Sequence, residues 1–244
     1  MNKKMINRII IYVAGLLVLA LGIILNTKAG LGVSPIISVS YSISQINGFN
    51  FGNTTLGLYA VFVLIEIIMH VTENLRSRKS QNTALAPANK NSLKYIILTD
   101  ILQFPLSIVF TRFMNLFSSA IPDFSPKGAN TVPHFCLQLL VLFAALTLTG
   151  IGAAMSLNMR IIPNPGDGIV QAIADFVHKG VGITKNCFDI FNVVFTCCIG
   201  MIFTGHLVGI GIGTICSMIG VGRVIAVFNH FFREKMIKAA GVEI

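Results

Sequence analysis

The sequence predicts an all-α membrane protein with six transmembrane helices and two short re-entrant half-helices, arranged as two inverted-topology repeats. Three observations lead to this prediction. Only 11% of the residues are charged and 54% are hydrophobic, whereas a soluble domain has roughly 25% charged residues. Six segments are apolar over about the 20 residues that a spanning helix needs. The order of long and short apolar segments in the first half of the chain recurs in the second half.

The six long apolar segments are residues 9–26, 54–72, 95–117, 135–157, 186–204 and 207–231. The first follows Lys3, Lys4 and Arg8, but it is longer than the apolar core of a signal peptide, which has about 7–15 residues. We therefore interpret it as a retained anchor helix. Two further segments, 35–47 and 168–179, are short. Each would measure roughly 18 Å as a helix, a little over half of a ~30 Å hydrocarbon core.

The basic residues indicate that the short segments do not cross the membrane. With six spans, most of the 18 lysines and arginines lie on the side that holds both termini. With eight spans, the most basic loop, residues 73–94, would fall on the opposite side and violate the positive-inside rule. We therefore predict a multi-pass protein of a bacterial cytoplasmic membrane with cytoplasmic N- and C-termini. The net charge of +9 is distributed between the apolar segments, which suits anionic lipid and not nucleic acid.

Both halves of the chain follow the order long, short, long, long. The first repeat is predicted at 1–117, the second at 135–244 including a cytoplasmic tail, and an external connection at 118–134. One constant shift along the chain superimposes Ser34-Pro35 on Gly166-Asp167, each at the start of a short helix. Because each half has three spans, the second half enters the membrane from the opposite side, as in the inverted repeats of many secondary transporters.

The two short helices carry the predicted binding site. Each follows a Gly- and Pro-rich lead, and Ser34 and Asp167 are residue types that favour the N-cap. We expect the two N-termini to face each other near the bilayer centre, where free N–H groups and partial positive charge favour an anion or an acceptor-rich solute. Short packing helices without a ligand are the alternative. The predicted substrate-binding residues are Ser34, Pro35, Asn164, Gly166, Asp167, Gly168, Glu66 and His70.

Ionisable residues within the spans are functional candidates by default. Glu66 lies near the middle of its span and His70 follows four residues later on the same face; a structurally paired carboxylate is the alternative. Asp100 and Arg223 lie at similar depths in corresponding helices, which predicts a structural ion pair. The sequence contains no metal-ligand cluster, phosphate loop or nucleophile–base pattern, so we expect no enzyme, no metal and no cofactor.

Four stretches carry a resemblance to a known group of proteins. They are Ala-Gly-Leu-Gly-Val-Ser-Pro at 29–35, Asp-Ile-Leu-Gln-Phe-Pro-Leu at 100–106, Asn-Pro-Gly-Asp-Gly at 164–168 and the glycine series from Gly209 to Gly222. Together they resemble the bacterial YczE/YyaS/YitT-type membrane proteins over nearly the whole chain. The resemblance implies a bacterial multi-span protein and little about its biochemistry.

These patterns favour a secondary transporter or exporter of a small polar or anionic solute. A channel is one alternative, since two opposed half-helices are typical of aquaporins, although here the half-helix follows the first span of each trio and only one Asn-Pro pair is present. A non-transporting partner, such as a substrate-binding subunit or a regulator, is the other. The expected partners are the lipid bilayer, the solute and either a second copy of the chain or another membrane protein.

Overall fold

A computed structural model describes residues 3–81, 90–124 and 132–242, which are helical apart from short connections. Six of the helices are long and apolar enough to cross a membrane, and the two short ones, α2 and α6, are not. The all-α membrane class predicted from the sequence is therefore confirmed. The helices are α1 (Lys3–Ala29), α2 (Pro35–Asn47), α3 (Phe51–Gln81), α4 (Lys90–Ala120), α5 (Val132–Asn158), α6 (Pro165–Phe176), α7 (Val181–Thr204) and α8 (Ile212–Ala240).

The outer surface of the bundle is apolar and its interior is partly polar. Large side chains such as Leu64, Phe143 and Ile202 are 60%, 73% and 76% exposed, whereas Glu66 and Asn192 are buried. Soluble monomers seldom expose contiguous apolar surface on this scale. Lipid solvates such a surface, so this distribution is that of a membrane protein.

Helix boundaries differ from the predicted ones mainly because the long helices extend past their apolar cores. The first short helix occupies residues 35–47 as predicted, but the second occupies Pro165–Phe176 and not 168–179. Pro165 suits the first helical turn because its fixed φ is already helical and its missing N–H has no partner to lose there. The last span begins at Ile212 and not at 207, because the glycine-rich segment before it is not helical.

Of the predicted connection at 118–134, residues 118–120 belong to α4 and 132–134 to α5, and 125–131 lie outside the described residues. The part that is described continues from α4 towards the end of α1. There Lys28 Nζ lies 3.0 Å from Asp123 Oδ1, and Phe124 N–H donates to the Lys28 carbonyl oxygen. The start of the connection is thus fixed against α1.

Helices α1 and α5 pack along each other at the centre of the bundle, with α4 against α1 and α8 against α5. The close approach depends on glycine. A Cβ on Gly15 would lie 2.8 Å from Met155 Cβ, and one on Gly22 would lie 2.5 Å from the Thr149 backbone nitrogen. Small residues at such an interface let two membrane helices pack backbone against backbone.

The ends of the helices define two ends of the molecule. At the terminal end, Asn7 Nδ2 donates to the Ala239 carbonyl oxygen at 3.2 Å, so the start of α1 lies beside the end of α8. At the opposite end, which we call the Lys28 end, Lys28 pairs with Asp123 after α4. The start of α1 and the end of α8 therefore lie at the same end of the molecule, which is consistent with six helices that each cross a membrane once.

Candidate functional site

The two short helices meet at their N-termini between α3 and α7. Each of them packs against both of these long helices. A Cβ on Gly166, near the start of α6, would lie 3.3 Å from Ile36 Cγ2, near the start of α2, and 3.8 Å from the Tyr59 hydroxyl oxygen. The tips of α2 and α6 are therefore in contact with each other and with α3.

Both tips lack a side-chain cap. Ser34 is the N-cap residue of α2, as predicted, and Asn164 is the N-cap of α6, but neither side chain bonds to its helix. Asp167 is therefore not the N-cap that the sequence predicts. It lies in the first turn, where the N–H groups of Asp167 and Gly168 each donate to the Asn164 carbonyl oxygen at 2.8 Å. N-cap side chains of these types usually accept a first-turn N–H group, but here the N-cap carbonyl oxygens do so, which leaves the side chains of Ser34 and Asn164 available for other contacts.

A small cavity of about 50 Å³ lies where the tips meet. It is lined by both tips through Ser34, Asn164, Gly166 and Asp167. Leu19 and Thr149 also line it, and they lie close to the middle of α1 and α5. Since a cavity needs about 10–15 Å³ of such volume to hold one water, this one can hold a few waters or a small polar group.

Asn164 presents an unused acceptor at this cavity. Its side chain is 5% exposed, and its Oδ1 atom accepts no hydrogen bond of ordinary geometry from the described residues. The hydroxyl group of Tyr59 lies beside the Asn164 side chain and interacts with it. A buried acceptor without a donor costs about 1–3 kcal/mol, which a bound solute or water that donates to Oδ1 would recover.

Two charged side chains of α7, Lys185 and Asp189, lie beside the tip of α6. Lys185 lines the cavity, and its Nζ lies 2.7 Å from Oδ2 of Asp189, which is 1% exposed. Asp167 interacts electrostatically with both of them. Lys185 and Asp189 are absent from the predicted site, although their spacing of four residues and the carboxylate within an apolar span are signals that the sequence carries.

Glu66 and Gly168 form a second contact, between α3 and α6. Gln103 Nε2 on α4 donates to Glu66 Oε2 at 2.6 Å. A Cβ on Gly168 would lie 2.9 Å from both Glu66 carboxylate oxygens and 2.8 Å from Gln103 Oε1. The first turns of α6 therefore rest on this acid–amide pair, with glycine where a side chain would not fit.

His70 does not line the cavity but pairs with Asp100, with Nδ1 2.8 Å from Oδ2. The predicted ion pair between Asp100 and Arg223 is thus wrong. Helix α4 packs against α3, so Asp100 faces His70, whereas α8 packs against α5 and Arg223 is exposed. Pro35, the remaining predicted residue, is buried at the start of α2.

The contact between α2 and α7 matches the contact between α6 and α3 in position. Helices α2 and α6 begin at Pro35 and Pro165, and the starts of α3 and α7 are separated by the same distance along the chain. When Pro35 is aligned with Pro165 in this way, Thr196 corresponds to Glu66 and Ser38 to Gly168. Ser38 Oγ and Thr196 Oγ1 lie 2.7 Å apart. The shift that the sequence favours, which aligns Pro35 with Asp167, is therefore too long for these helices.

Comparison with known proteins places the chain in a family. A family model matches residues 6–230, which include both short helices and the cavity between them. The chain belongs to DUF6198, described as a family of unknown function. No curated protein and no solved structure matches this DUF6198 chain. Its candidate site therefore rests on its own geometry.

The site is a small pocket in which a few polar groups stand in a largely apolar lining. Among the described residues of this DUF6198 protein, no group of three or more His, Cys, Asp or Glu side chains could hold a metal ion. The chemistry available at the cavity is binding: two helix N-termini without side-chain caps, one unused amide oxygen, and a lysine that interacts with two carboxylates.

Proposed function

We propose that this protein is a secondary transporter of a small polar or anionic solute, which binds in the cavity between the tips of α2 and α6. One observation carries the proposal: two uncapped helix N-termini converge on one small cavity beside the middle of α1 and α5, where they and Lys185 supply polar groups to a largely apolar lining. Helix N-termini bind anions and acceptor groups because their N–H groups and dipoles point at the ligand. Lys185 also lines the cavity, where it is a hydrogen-bond donor whose charge is paired with Asp189.

The packing of the helices supports two inverted repeats with re-entrant half-helices. Exchanging α1–α4 with α5–α8 converts the contact of α2 with α7 into that of α6 with α3, and the contact of α1 with α4 into that of α5 with α8. The correspondence is partial, because α3 packs extensively against α4 whereas α7 makes at most a marginal contact with α8. Helices of 13 and 12 residues measure about 20 Å and 18 Å. We infer that each enters from one face, ends near the bilayer centre and leaves its tip at the shared cavity, as in transporters with broken helices.

A larger cavity of about 730 Å³ at the Lys28 end supports a carrier and not an open channel. Val33 lines this larger cavity, and the next residue, Ser34, lines the central one. At this boundary Val33 N–H donates to the Gly209 carbonyl oxygen at 2.9 Å, and Gly213 N–H donates to that of Leu31 at 2.7 Å. We propose that this backbone pairing is the gate that opens for solute to enter from the Lys28 end.

The membrane and its orientation also belong to the proposal. The basic residues favour a bacterial cytoplasmic membrane with the terminal end in the cytoplasm, so the Lys28 end would face outward. Kinship with the YczE/YyaS/YitT-type proteins stays a prediction from the motifs.

Flux through reconstituted protein tests the function. Purified protein in proteoliposomes is expected to exchange one or more labelled solutes from a panel of small carboxylates, phosphate, amino acids and neutral polyols, with saturable kinetics. Asn164→Ala is expected to reduce this exchange, whereas Phe143→Leu on the lipid-facing surface serves as a matched control that retains it. Absence of saturable exchange for every solute of the panel contradicts the transporter proposal, and rapid non-saturating flux indicates a channel.

A further inference from the structure

Glu66 and Gln103 form a buried acid–amide pair in which two acceptor oxygens have no hydrogen-bond donor among the described residues. Both side chains are 1% exposed. Gln103 Nε2 donates to Glu66 Oε2 at 2.6 Å, while Glu66 Oε1 and Gln103 Oε1 have no hydrogen-bond partner. Both unused oxygens lie within 2.9 Å of the point that a Cβ on Gly168 would occupy. Two buried acceptor oxygens thus lie on the same side of the pair.

One proton satisfies both atoms. A protonated carboxyl group has an O–H donor as well as an acceptor oxygen, whereas an ionised one only accepts. With a proton on Oε1, Glu66 donates to Gln103 Oε1 while Gln103 Nε2 donates to Glu66 Oε2, which gives a reciprocal acid–amide pair. The alternative is an ionised carboxylate whose second oxygen is buried without a donor, which is costly.

We propose that Glu66 is a proton-binding site, neutral in this structure through a reciprocal pair with Gln103, and that its proton couples solute movement to a proton gradient. The step is the association of one hydronium proton with the Glu66 carboxylate, which yields the carboxylic acid and one water. The coupling rests on the proposed transport function, but the protonation does not. Because Gly168 lies directly on the pair, loss of the proton places a negative charge against the first turns of α6.

A file of polar side chains on α3 connects Glu66 with the terminal end. His70, one turn further along, pairs with Asp100, and Glu73 follows at the next turn. Glu73 Oε1 lies 4.0 Å from Nε2 of His178, whose side chain is 81% exposed. We infer that protons reach Glu66 along this file from the terminal end.

The charged groups that face this region come from three helices. His70 on α3 and Asp100 on α4 both interact electrostatically with Glu66, and Asp175 on α6 interacts with His70. The fourth helix packed here, α2, has no Asp, Glu, His, Lys or Arg, and Tyr41 is its one ionisable residue. The proton on Glu66 therefore binds in the field of the His70 imidazole and the Asp100 carboxylate, and Asp175 acts on the same imidazole.

Infrared difference spectroscopy of the purified protein in lipid nanodiscs tests the protonation without any transport assay. We expect the wild type to show, at neutral pH, a C=O stretching band of a protonated carboxyl group that disappears in alkaline buffer and is missing from Glu66→Gln. Glu234→Gln, at an exposed carboxylate on α8, is the control and should retain the band. A wild-type spectrum without this band, or a band that persists in Glu66→Gln, overturns the proposal.

Two further measurements separate the proton site from the transport function. Glu66→Gln replaces the acid with a neutral amide and should fold, with a thermal stability that varies less with pH than that of the wild type. A neutral Glu66 that ionises on unfolding stabilises the fold in acid and loses this contribution as the pH rises. If the wild type bound radioactive Na⁺ and Glu66→Gln did not, Glu66 would be a site for a metal cation and not for a proton. That result would overturn the proposal.

In proteoliposomes, an imposed proton gradient should drive solute uptake by the wild type, whereas Glu66→Gln should retain only gradient-independent exchange. Gradient-driven uptake that survives in Glu66→Gln overturns the coupling. The Glu66 band without saturable flux for any solute contradicts the transporter proposal and leaves the proton site supported.

Discussion

The contact of α3 with α6 and the contact of α7 with α2 occupy corresponding places but use different chemistry. The first places Gly168 on the buried Glu66–Gln103 pair. The second joins Ser38 Oγ to Thr196 Oγ1, and Thr196 also donates to the Asn192 carbonyl oxygen at 2.7 Å. Hydroxyl groups do not titrate in the physiological range, so the second contact keeps its strength when the pH changes. Only the contact of α6 with α3 is able to respond to a proton.

The two halves also differ at the start of α3 and α7. Lys185 and Asp189 form a buried ion pair on α7, whereas Thr55 and Tyr59 occupy the corresponding positions on α3 when the starts of the two helices are aligned. Thr55 contacts Ser40 Oγ at 3.1 Å. The second half thus carries the Lys185–Asp189 ion pair on α7, and the first half carries the titratable Glu66 on α3, while the counterpart of each is neutral.

The largest effect is expected from labelling the outer ends of the short helices. Asn47 and Val177, at the ends of α2 and α6, are exposed and correspond when the starts of these helices are aligned. In a cysteine-free background, Asn47→Cys should react with an impermeant thiol reagent from one side of the membrane only, and Val177→Cys from the other side only. If both cysteines reacted from the same side, the two halves would not be inverted, and the contacts of α2 and α6 would not be equivalent.

The next largest effect is expected at the ion pair. Lys185→Met leaves Asp189 buried without its partner and should lower the free energy of unfolding by roughly 3 kcal/mol, the low end for a broken buried pair because Lys185 is partly exposed. Thr55→Val, its counterpart, should cost only about 1 kcal/mol. Thermal unfolding in detergent, followed by size-exclusion chromatography of a fluorescent fusion, measures both.

A double variant controls the effect of the unpaired charge. Lys185→Met combined with Asp189→Leu removes both charges and should recover most of the lost stability, because apolar replacement of a whole buried pair is often neutral. If Lys185→Met is no less stable than Thr55→Val, the ion pair contributes nothing that distinguishes the halves.

A smaller difference is expected at the contacts of the short helices. Gly168→Ala inserts a methyl group within 2.9 Å of three oxygens and should cost about 1–3 kcal/mol through overpacking. Ser38→Ala removes one hydroxyl from the corresponding contact and should cost about 1 kcal/mol. The same unfolding assay ranks the two variants. A Gly168→Ala protein as stable as the wild type would show that α6 does not rest on Glu66 and Gln103.

The sequence predicts the long helices and α2 well because the length of an apolar run is read directly from the residues. It places the start of α6 at Gly168 and not at Pro165, because Asn164, Asp167 and Pro165 all suit a helix start and only packing selects among them. The convergence of the two tips follows from the order of the elements, and Ser34, Asn164, Gly166 and Asp167 do line one cavity.

Side-chain pairs are where prediction from the sequence fails. Their similar depth in the membrane suggests an ion pair between Asp100 and Arg223. Depth does not determine which helices are neighbours, and in the structure Asp100 pairs with His70. Gln103 is a buried amide in an apolar span, a signal that the sequence contains, yet its pairing with Glu66 depends on the rotation of α4 about its own axis. Such rotations are set by packing across the whole bundle and not by local pattern.

The smallest effect is expected at the two N-caps of the cavity, and it is measured by transport. Asn164→Ala removes the unused buried acceptor and should raise the half-saturating concentration of a transported solute several-fold, because a hydrogen bond contributes about 0.5–1.5 kcal/mol. Ser34→Ala, at the corresponding cap, should change it less, since no buried atom of Ser34 is left without a partner in the described structure. Equal effects at both caps would mean that the solute contacts the two tips alike, and the asymmetry between the halves would then lie in proton binding at Glu66 and not in solute recognition.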